Sequence, residues 1–392
     1  MMKIKAITIG SYPVGEARTN RNVSLLKGLI EAGHQVKLLV VSPSNNRFHE
    51  RREQRGCIGR LPYEYMSCST KLPGNFVLKT ILILQSIVKT ISQLYRSNKK
   101  IKIDAILILL TQSYIIYPLI IFANVFKIKI IHERTEHPEI GHSGGGFISK
   151  FNKALYFRLL PKFTGMYVIN TYLKKFFTKY LGDSKICVVN MTVDISRFNS
   201  SKASPFGFKY MAYCGTLHGN KDGLEDLIRI YRDIKDELDF KLVLIGDIND
   251  KRVCDLLELV RQCDLQNDII FTGLVNSEDM PSYLQNAEIL LLSRPDNLQA
   301  RGGFPTKLGE YLMTGKPVLV SSVGEIPLFL EDNVSAFLAK PGDIDGFVKK
   351  IREINENYER ALEIGMEGKK VAIENFNYLT ESLKLSKFIE TI

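Results

Sequence analysis

The sequence lacks the usual marks of an exported or disulfide-bonded protein. Its first ten residues, MMKIKAITIG, are typical of the start of a strand and contain no apolar core of signal-peptide length. The six cysteines are scattered, and none forms a Cys-x-x-Cys pair. We therefore expect reduced thiols in a cytoplasmic protein, and neither a disulfide framework nor a zinc site.

Repeats, low-complexity tracts and the signatures of zinc fingers, RNA-binding aromatics or helix-turn-helix domains are also missing. Acidic residues are scarce in one half only. Residues 1–208 hold 31 Lys and Arg against 11 Asp and Glu, a net charge of +20, whereas residues 209–392 hold 22 against 31, a net charge of −9. This break predicts a domain boundary near the midpoint. It also predicts an anionic partner for the first half: nucleic acid, an anionic membrane surface or a phosphorylated lipid.

One apolar run, residues 105–126, is long enough to cross a bilayer. Polar residues interrupt it at Thr111-Gln112-Ser113. The interruption favours a buried strand, Ile106–Leu110, followed by a core helix that begins near Tyr114, over a transmembrane helix.

Both halves alternate short apolar strands with helices, which is typical of parallel, doubly wound α/β sheets. The predicted strands are Ile4–Ile9, Val36–Val41, Ile106–Leu110, Lys129–His132, Gly165–Ile169, Tyr210–Tyr213, Lys241–Ile245, Ile269–Thr272, Ile289–Ser293 and Val318–Ser321. We predict two Rossmann-like domains facing a cleft, residues 1–195 and 209–371, and a helical segment, 372–392, that crosses back to the first domain. Ligands bind beyond the carboxyl ends of such strands, so the loops after strands are the candidate sites.

The strongest candidate site is RPDNLQARGGFPTKLGE, residues 294–310, directly after a strand. Its two glycines let the backbone approach a ligand, and the Pro-Thr pair after them predicts a helix start. The free N–H groups of that turn, the helix dipole and Lys307 together favour a diphosphate. Thr306 and Glu310 share one helix face, where a carboxylate suits a ribose diol. Singly these are ordinary surface residues, but their order after a strand favours a binding site.

A second candidate site is YCGTLHGNKD, residues 213–222, after the first strand of the second half. Gly215 permits a tight turn, and Lys221 lies just before a helix, where it would supply a second cation to the same diphosphate. The alternative is that Asp222 is merely the N-cap of the helix and that Lys221 is solvated.

These two segments, with the connection GKPV (315–318), resemble the donor domain of glycosyltransferase family 4. The loop 11–19 with GHQV (33–36), and VNMTVDISRF (189–198), are similar to that family as well, so the resemblance covers nearly the whole chain. It implies the GT-B fold and retaining transfer of a hexose. The nucleotide-diphosphate sugar would be held by the C-terminal domain and the acceptor by the N-terminal domain.

The resemblance also assigns site residues. Lys221 takes the place of the family's diphosphate-binding Lys, and Glu310 that of the second Glu of its Glu-x7-Glu motif, which contacts the ribose. Gly302 replaces the first Glu, as in a Gly-Phe-Pro-Thr-Lys-Leu-Gly-Glu variant whose Lys and neighbouring backbone bind more of the phosphate. The donor-binding residues predicted in this way are Gly15, Gly215, Thr216, Lys221, Arg301, Gly303, Phe304, Pro305, Thr306, Lys307, Leu308 and Glu310.

A third segment, IHERTEHP (131–138), carries two His, two Glu and an Arg after a strand. In the resembling family this region faces the sugar and the acceptor. Glu136 or His137 would therefore orient or deprotonate the acceptor hydroxyl, and we predict both as catalytic residues beside Lys221 and Lys307. The alternatives are a charged surface loop with His132 ending a buried strand and, from the His-x4-His spacing, a metal site.

Two further features have balanced interpretations. Gly15, in the loop 11–19, either lets the backbone approach the donor phosphate or the acceptor, or forms a plain turn. Apolar residues recur at helical spacing in Phe76–Arg96, with Lys79, Lys89 and Arg96 on the other side. Such a helix covers a sheet, which we favour, or rests on an anionic membrane. The apolar positions are Val77, Ile81, Leu84, Val88, Ile91 and Tyr95.

We expect no metal and no other cofactor. Asp343-Ile-Asp345 matches the Asp-x-Asp pattern but reads as a helix cap, and the lysines would stabilise the leaving diphosphate instead. The predicted function is a cytoplasmic glycosyltransferase of cell-surface polysaccharide synthesis, peripheral on the inner face of the membrane. Its partners would be a nucleotide sugar and a glycan or polyprenyl-phosphate-linked acceptor. The alternatives are a nucleotide-sugar epimerase or hydrolase of the same fold, or a non-catalytic protein that binds nucleic acid.

Overall fold

The computed structural model describes residues 1–13, 15, 17–43, 53–141, 146–200, 203–219 and 221–392. The chain divides into two compact units, which are described separately: residues 1–192 with 378–392, and residues 193–377. The sequence analysis predicted that the first domain ends at residue 195 and that the second extends from residue 209 to residue 371. The second unit therefore takes up residues 196–208, which the sequence assigned to a linker, and the chain returns to the first unit at Tyr378.

Strands and helices alternate along both units. The strands are β1 (Lys3–Ile9), β2 (Gln35–Ser42), β3 (Arg55–Ile58), β4 (Leu61–Tyr65), β5 (Ala105–Ile108), β6 (Lys129–Arg134), β7 (Gly165–Val168), β8 (Ile186–Val188), β9 (Tyr210–Cys214), β10 (Lys241–Ile245), β11 (Ile269–Gly273), β12 (Ile289–Leu292), β13 (Val318–Ser321) and β14 (Phe337–Ala339). All ten predicted strands are present, within two residues at each end. The strands that the sequence analysis missed are β3, β4, β8 and β14.

The helices cover the sheets and connect their strands. They are α1 (Ala17–Glu31), α2 (Phe76–Lys100), α3 (Ser113–Phe126), α4 (Pro138–Gly141), α5 (Phe147–Leu159), α6 (Thr171–Leu181), α7 (Leu224–Ile234), α8 (Cys254–Gln262), α9 (Met280–Gln285), α10 (Leu298–Arg301), α11 (Thr306–Met313), α12 (Ile344–Glu356), α13 (Tyr358–Asn375) and α14 (Tyr378–Thr391). The C-terminal segment is thus not one helix from residue 372, because α13 ends and α14 begins within it.

The sheet of the first unit has the order β3-β4-β2-β1-β5-β6-β7-β8 and is parallel except for β3, which pairs antiparallel with β4. The order reverses between β1 and β5, so the loops after these two strands lie at the switch point where such sheets bind ligands. α14 packs on α1 in this unit, where Ser382 donates a hydrogen bond to the Leu25 carbonyl at 3.0 Å. A Cβ on Gly28 would lie 2.6 Å from the Ser382 Cβ, so glycine permits this approach.

The sheet of the second unit is parallel throughout and has the order β11-β10-β9-β12-β13-β14. Its order reverses between β9 and β12. The loop 215–222 after β9 and the segment 293–305 after β12 therefore leave the sheet side by side at its switch point. These are the two segments that the sequence singled out for the donor.

The apolar run 105–126 forms a strand and a helix, as predicted. All four residues of β5 are buried in the middle of the first sheet, and α3 begins at Ser113. Within the described ranges, one helix is long and apolar enough to cross a membrane by length and composition alone. That helix is α2, with a mean hydropathy of 1.3 over its most apolar window.

α2 packs on the first sheet, but with a different face from the one predicted. Its buried residues are Leu82, Ser86, Thr90 and Leu94, and the stripe from Val77 to Tyr95 is largely exposed. The two hydroxyls can be buried because each donates to the carbonyl four residues earlier, Ser86 to Leu82 at 2.6 Å and Thr90 to Ser86 at 2.7 Å. The helix therefore has two apolar faces, and the more hydrophobic one lies outside.

Candidate active site

The first turn of α11 lies at the switch point of the second sheet. The helix begins at Thr306, directly after Pro305, where the sequence placed a helix start. Pro305 occupies the N-cap and has no side-chain oxygen, so it does not cap the first N–H groups of the helix. These donors and the helix dipole favour an anion at this position.

Lys307 extends from this turn toward the loop after β9. Its Nζ donates to the Tyr213 hydroxyl at 2.8 Å and to Asp222 Oδ2 at 2.6 Å, and it lies 4.2 Å from the centroid of the Tyr213 ring. Burial lowers the pKa of Lys307, and the adjacent Asp222 carboxylate opposes that shift. These two partners take two of the three ammonium hydrogens and leave one for a phosphate oxygen.

Asp222 is a buried carboxylate that the sequence analysis did not assign to the site. Its side chain is 4% exposed and lies 3.7 Å from Nε of Arg294, which is 2% exposed. Burial opposes ionisation of Asp222, but Lys307 and Arg294 together lower its pKa to about 2. The carboxylate is therefore charged at neutral pH and orients Lys307. Arg294 directly follows the predicted strand and lies two residues after β12, and that position was the only sequence signal for it.

The alternative of Asp222 as a helix N-cap is wrong. Gly223 occupies the N-cap of α7, in a left-handed conformation with φ of 63°. A Cβ on Gly223 would collide with the Ser293 carbonyl, so this turn packs directly against the end of β12. That close approach turns Asp222 inward, toward Lys307 and Arg294.

Gly215 is the point where the loop after β9 meets Lys307. A Cβ at this position would overlap the Lys307 ammonium and lie 2.6 Å from the Tyr213 hydroxyl. The preceding residue, Cys214, donates its N–H to the Tyr311 hydroxyl of α11 at 2.6 Å. Burial raises the pKa of the Cys214 thiol to about 12, so this cysteine stays protonated and is no nucleophile.

Glu310, the predicted ribose ligand, is held by Arg197, which the sequence analysis did not assign to the site. Arg197 Nη1 donates to Glu310 Oε1, and Nη2 donates to the Ser277 carbonyl at 2.8 Å. The arginine lies in a short 3-10 helix, Ile195–Phe198, inside the segment that resembled the family before the linker. It fixes the carboxylate one helical turn beyond Thr306, because residues four apart share a helix face.

Some of the other predicted donor residues are exposed, and others are buried. Thr216 and Lys221 are exposed on the loop after β9. Arg301 is also exposed, and its guanidinium forms a bidentate pair with Asp296 at 2.7 Å. The Phe304 ring packs against the rings of Phe329 and Phe376, so this residue can offer a ligand its backbone only. The remaining buried members of the set are Gly303, Pro305 and Leu308.

In the first unit, Gly15 lies at the switch point of the sheet. A Cβ there would lie 2.7 Å from the Ser11 carbonyl oxygen, which also accepts a hydrogen bond from the Thr19 hydroxyl at 3.1 Å. Arg18, in the first turn of α1, donates to the Leu109 carbonyl at 2.6 Å and so links this helix to the loop after β5. Val14 and Glu16 of this loop lie outside the described residues.

In the segment 131–138, most of the charged and histidine side chains are buried within the fold. β6 continues to Arg134, and the His132 ring is fully buried between the Ile108 carbonyl and the Tyr156 hydroxyl, each 3.1 Å away. Burial lowers the pKa of His132 to about 3, so the ring is neutral. His132 is therefore a buried strand residue, one of the alternatives that the sequence allowed.

Glu133 also has a structural role. It accepts a hydrogen bond from Nε of Arg21 at 3.2 Å, and the two side chains are 4% and 2% exposed. Arg21 also donates to the carbonyls of Val189 and Asn190. The pair therefore ties α1 and β6 to the segment after β8.

The two predicted catalytic residues of this segment differ in exposure. Glu136 is half-buried, and its carbonyl accepts a hydrogen bond from Arg134 at 2.9 Å. His137 is 5% exposed, with its ring centroid 4.4 Å from that of Phe176. Burial lowers the pKa of His137 as well. Of the two, Glu136 is the more exposed residue.

The Asp-x-Asp letters of residues 343–345 form a helix cap, as predicted. Asp343 is the N-cap of α12, and its carboxylate accepts the Gly346 N–H at 2.9 Å. Over the described part of the chain, no group of three or more His, Cys, Asp or Glu side chains is arranged to hold a metal ion.

Comparison with known proteins shows sequence similarity to glycosyl transferases. Residues 209–357 match the family model of glycosyl transferases group 1, which spans less than half of the chain. The chain is 24% identical to N-acetyl-alpha-D-glucosaminyl L-malate synthase of Bacillus anthracis over 43% of this chain and 41% of that protein. It is 23% identical to the amylovoran biosynthesis glycosyltransferase AmsK of Erwinia amylovora over 53% and 51%. The chain thus spans about half the length of the curated relatives it matches.

Solved structures match over the whole chain. Anabaena HepE in complex with UDP and glucose has a TM-score of 0.76 at 16% identity, with all of both chains covered. Sucrose-phosphate synthase from Thermosynechococcus elongatus has a TM-score of 0.75 at 14% identity, covering 100% of this chain and 98% of that one. These likenesses confirm the predicted GT-B fold with two Rossmann-like domains. The sequence matches show that residues 209–357 are similar to glycosyl transferases group 1 and that one relative, AmsK, is named for amylovoran biosynthesis.

Proposed function

We propose that this chain is a retaining, metal-independent glycosyltransferase. It transfers a hexose from a nucleotide-diphosphate sugar to a glycan or lipid-linked acceptor in cell-surface polysaccharide synthesis. One observation carries the proposal: the first turn of α11 presents Lys307 at the switch point of the second sheet, held there by Asp222 and Tyr213. The HepE structures contain UDP, UDP and glucose, or UDP-glucose, which supports a nucleotide sugar as the donor class.

The chemistry needs stabilisation of a leaving diphosphate. As the bond from the anomeric carbon to the diphosphate oxygen breaks and the acceptor oxygen bonds that carbon, negative charge grows on the diphosphate. Lys307 and Arg294 place two positive charges beside one carboxylate, Asp222, and Lys221 adds a third on the exposed loop after β9. The surplus positive charge and the α11 N–H groups stabilise the leaving group without a metal. Glu310, oriented by Arg197, binds the ribose.

On the acceptor side, we propose Glu136 as the residue that orients or deprotonates the acceptor hydroxyl. Glu136 is a half-buried residue that a substrate can reach, whereas the His137 ring packs against Tyr172 and Phe176. His137 then acts by holding the loop in place. In the same unit, the backbone at Gly15 would approach the donor phosphate or the acceptor.

We also propose a cytoplasmic location at the inner face of the membrane. The net charge of +20 over residues 1–208 suits an anionic bilayer and a polyprenyl-phosphate-linked acceptor. A thermal-shift panel of UDP, GDP, ADP and dTDP identifies the donor base, because a ligand stabilises the fold that binds it.

The direct test is Lys307→Ala, with the exposed Lys349→Ala as the control. Removing one oxyanion-stabilising donor costs about 100- to 1,000-fold in turnover, and we expect that loss for Lys307→Ala only. Nucleoside diphosphate binding, measured by calorimetry, should weaken in the same variant. Near-normal turnover by a folded Lys307→Ala protein would rule out the proposed role.

An assay with donor alone separates transfer from the alternatives. A nucleotide-sugar epimerase or hydrolase converts the donor fully without an acceptor. A transferase releases nucleoside diphosphate at an appreciable rate only when an acceptor is added.

A further inference from the structure

The outer face of α2 is more apolar than a solvated helix surface normally is. Val77, Leu84 and Val88 are 61%, 58% and 69% exposed, and they lie on the side of the helix away from the sheet. A helix at the surface of a globular protein usually places charged and polar residues there. The outer face of α2 therefore fits an apolar environment that the folded chain itself does not supply.

The neighbouring helix α3 continues this apolar surface. Tyr114, Tyr117, Ile121 and Val125 are 46–67% exposed and recur at helical spacing. The two stripes meet where the Tyr95 ring lies 5.8 Å from the ring of Phe126. We name the combined surface the α2–α3 face; it consists of Val77, Ile81, Leu84, Val88, Tyr95, Tyr114, Tyr117, Ile121 and Val125.

Exposed apolar residues are concentrated on these two helices. Of the 23 large apolar residues that are exposed in the described chain, 11 lie on α2 and α3. Single exposed apolar residues are normal on any protein, but a contiguous patch marks an interaction surface.

The segment of the chain that carries the α2–α3 face is strongly basic. Residues 65–132 contain nine Lys and Arg and a single acidic residue, Asp104. Lys89 and Arg96 flank the stripe along α2, and the Lys99 ammonium lies 4.8 Å from the centroid of the Tyr95 ring. An apolar stripe flanked by cations is the pattern of a helix that lies in the interface of an anionic bilayer.

We infer that the α2–α3 face is the surface by which this protein binds an anionic lipid bilayer, with α2 lying in the plane of the interface. α2 does not cross the bilayer, because its opposite side, including Leu82 and Leu94, is buried in the first unit. A second copy of the chain is a poor occupant, because pairing two such faces would bring two basic surfaces together. The charge therefore favours an anionic bilayer over a second copy of the chain.

This inference specifies the surface and the orientation of the membrane contact suggested above, and it does not depend on the transfer chemistry. Vesicle binding and nucleoside diphosphate binding are separate measurements. If the protein fails to bind vesicles but still binds nucleotide, the membrane inference alone is wrong. The reverse result would leave the membrane inference standing and overturn the proposed function.

The first experiment is vesicle flotation with three exposed residues of the α2–α3 face changed together, Ile81→Gln, Leu84→Gln and Val88→Gln. The control carries Leu274→Gln, Leu328→Gln and Val334→Gln, which have similar exposure outside the face. With vesicles of equal parts phosphatidylcholine and phosphatidylglycerol, we expect the face variant to lose about tenfold or more in partitioning. The control variant should bind like the unmodified protein.

A second experiment uses the absence of Trp from the chain. Val88→Trp places a single fluorophore on the face, and Leu328→Trp places one at a site of matched exposure, 70% against 69%. With the same vesicles containing brominated phosphatidylcholine, we expect a blue shift and quenching for Val88→Trp only.

Several results would overturn the inference. They are no flotation of the unmodified protein, equal flotation of the face variant, and equal binding to vesicles of phosphatidylcholine alone. A dimer in light scattering that the face variant abolishes, together with absent vesicle binding, would show that a second copy covers the face instead. Changing Lys89, Arg96 and Lys99 to Gln should lower partitioning several-fold and reduce its dependence on salt.

Discussion

The segments that follow β9 and β6 both carry charged residues at the end of a parallel strand, but the two units use them differently. After β9, Asp222 is buried beneath Lys307, which keeps 16% of its side chain exposed at the switch point. After β6, Glu133 pairs with Arg21, and both side chains are almost fully buried. The first arrangement leaves a cation partly exposed at the switch point, and the second joins parts of the fold.

This difference shows that charge after a strand is a weak guide to function unless the partners of each charge are known. β9 lies at the switch point of its sheet, whereas β6 lies one strand away from the switch point of the first sheet. The loops after β1 and β5 occupy that position in the first unit. The sheet order therefore places Gly15 and Arg18 closer to the expected binding position than the segment after β6.

The largest effect is expected from removing one partner of the buried Arg21–Glu133 ion pair in the first unit. Arg21→Met should lower the free energy of unfolding by about 3–5 kcal/mol, because it leaves the Glu133 carboxylate buried and unpaired. Urea denaturation measures this loss. Nucleoside diphosphate affinity should stay unchanged, and a variant that folds normally but no longer binds nucleotide would give Arg21 a role in the donor site instead.

Acid titration tests the corresponding carboxylate of the second unit. The pKa of Asp222 in the folded protein is about 2, below the ordinary Asp value. Its ionised form therefore stabilises the fold above the unfolded pKa, and this contribution is lost as the pH falls through about 2. The stability difference between the unmodified protein and Asp222→Asn should shrink by about 2 kcal/mol between pH 5 and pH 2. Urea midpoints measured in parallel check this, and a pH-independent difference would contradict it.

A smaller effect is expected from crowding the Lys307 ammonium. Gly215→Ala places a methyl group where the ammonium lies, so nucleoside diphosphate affinity should fall about tenfold, or about 1.4 kcal/mol. Gly207→Ala is the matched control, because nothing lies within 4 Å of the added Cβ. Calorimetry measures the nucleoside diphosphate affinity of both variants. Equal affinities of Gly215→Ala and Gly207→Ala would mean that Lys307 does not contact the diphosphate.

The smallest effect is expected at His137. The ring is 5% exposed and packs against Phe176, so an acceptor hydroxyl does not reach it, and His137 should not act as the acceptor base. His137→Phe should change kcat only a few-fold and leave the pH profile unaltered, whereas Glu136→Gln should lower kcat/KM for the acceptor by about 100-fold or more. A larger loss in the His137 variant than in the Glu136 variant would reverse these roles.

Much of the fold could be predicted from the sequence, because buried parallel strands are short apolar runs bounded by turn residues. The missed elements, such as β3 and β14, are short strands at sheet edges, where the apolar signal is weak. The face of α2 was assigned wrongly because helical spacing identifies an apolar stripe and not the surface that covers it. Ser86 and Thr90 lie on the buried face, and their hydroxyls can be buried because each donates to a carbonyl of its own helix.

Local order in the sequence determined the strand that ends before Arg294, the helix start at Thr306 and the placement of Lys307 on its first turn. Only the tertiary structure decided which partner each of these residues meets. Asp222 lies 85 positions from Lys307, and Arg197 lies 113 positions from Glu310. Such partners are set by the order of strands in a sheet and by the close approach that Gly223 and Gly215 allow, because packing and not periodicity determines which distant side chains come into contact.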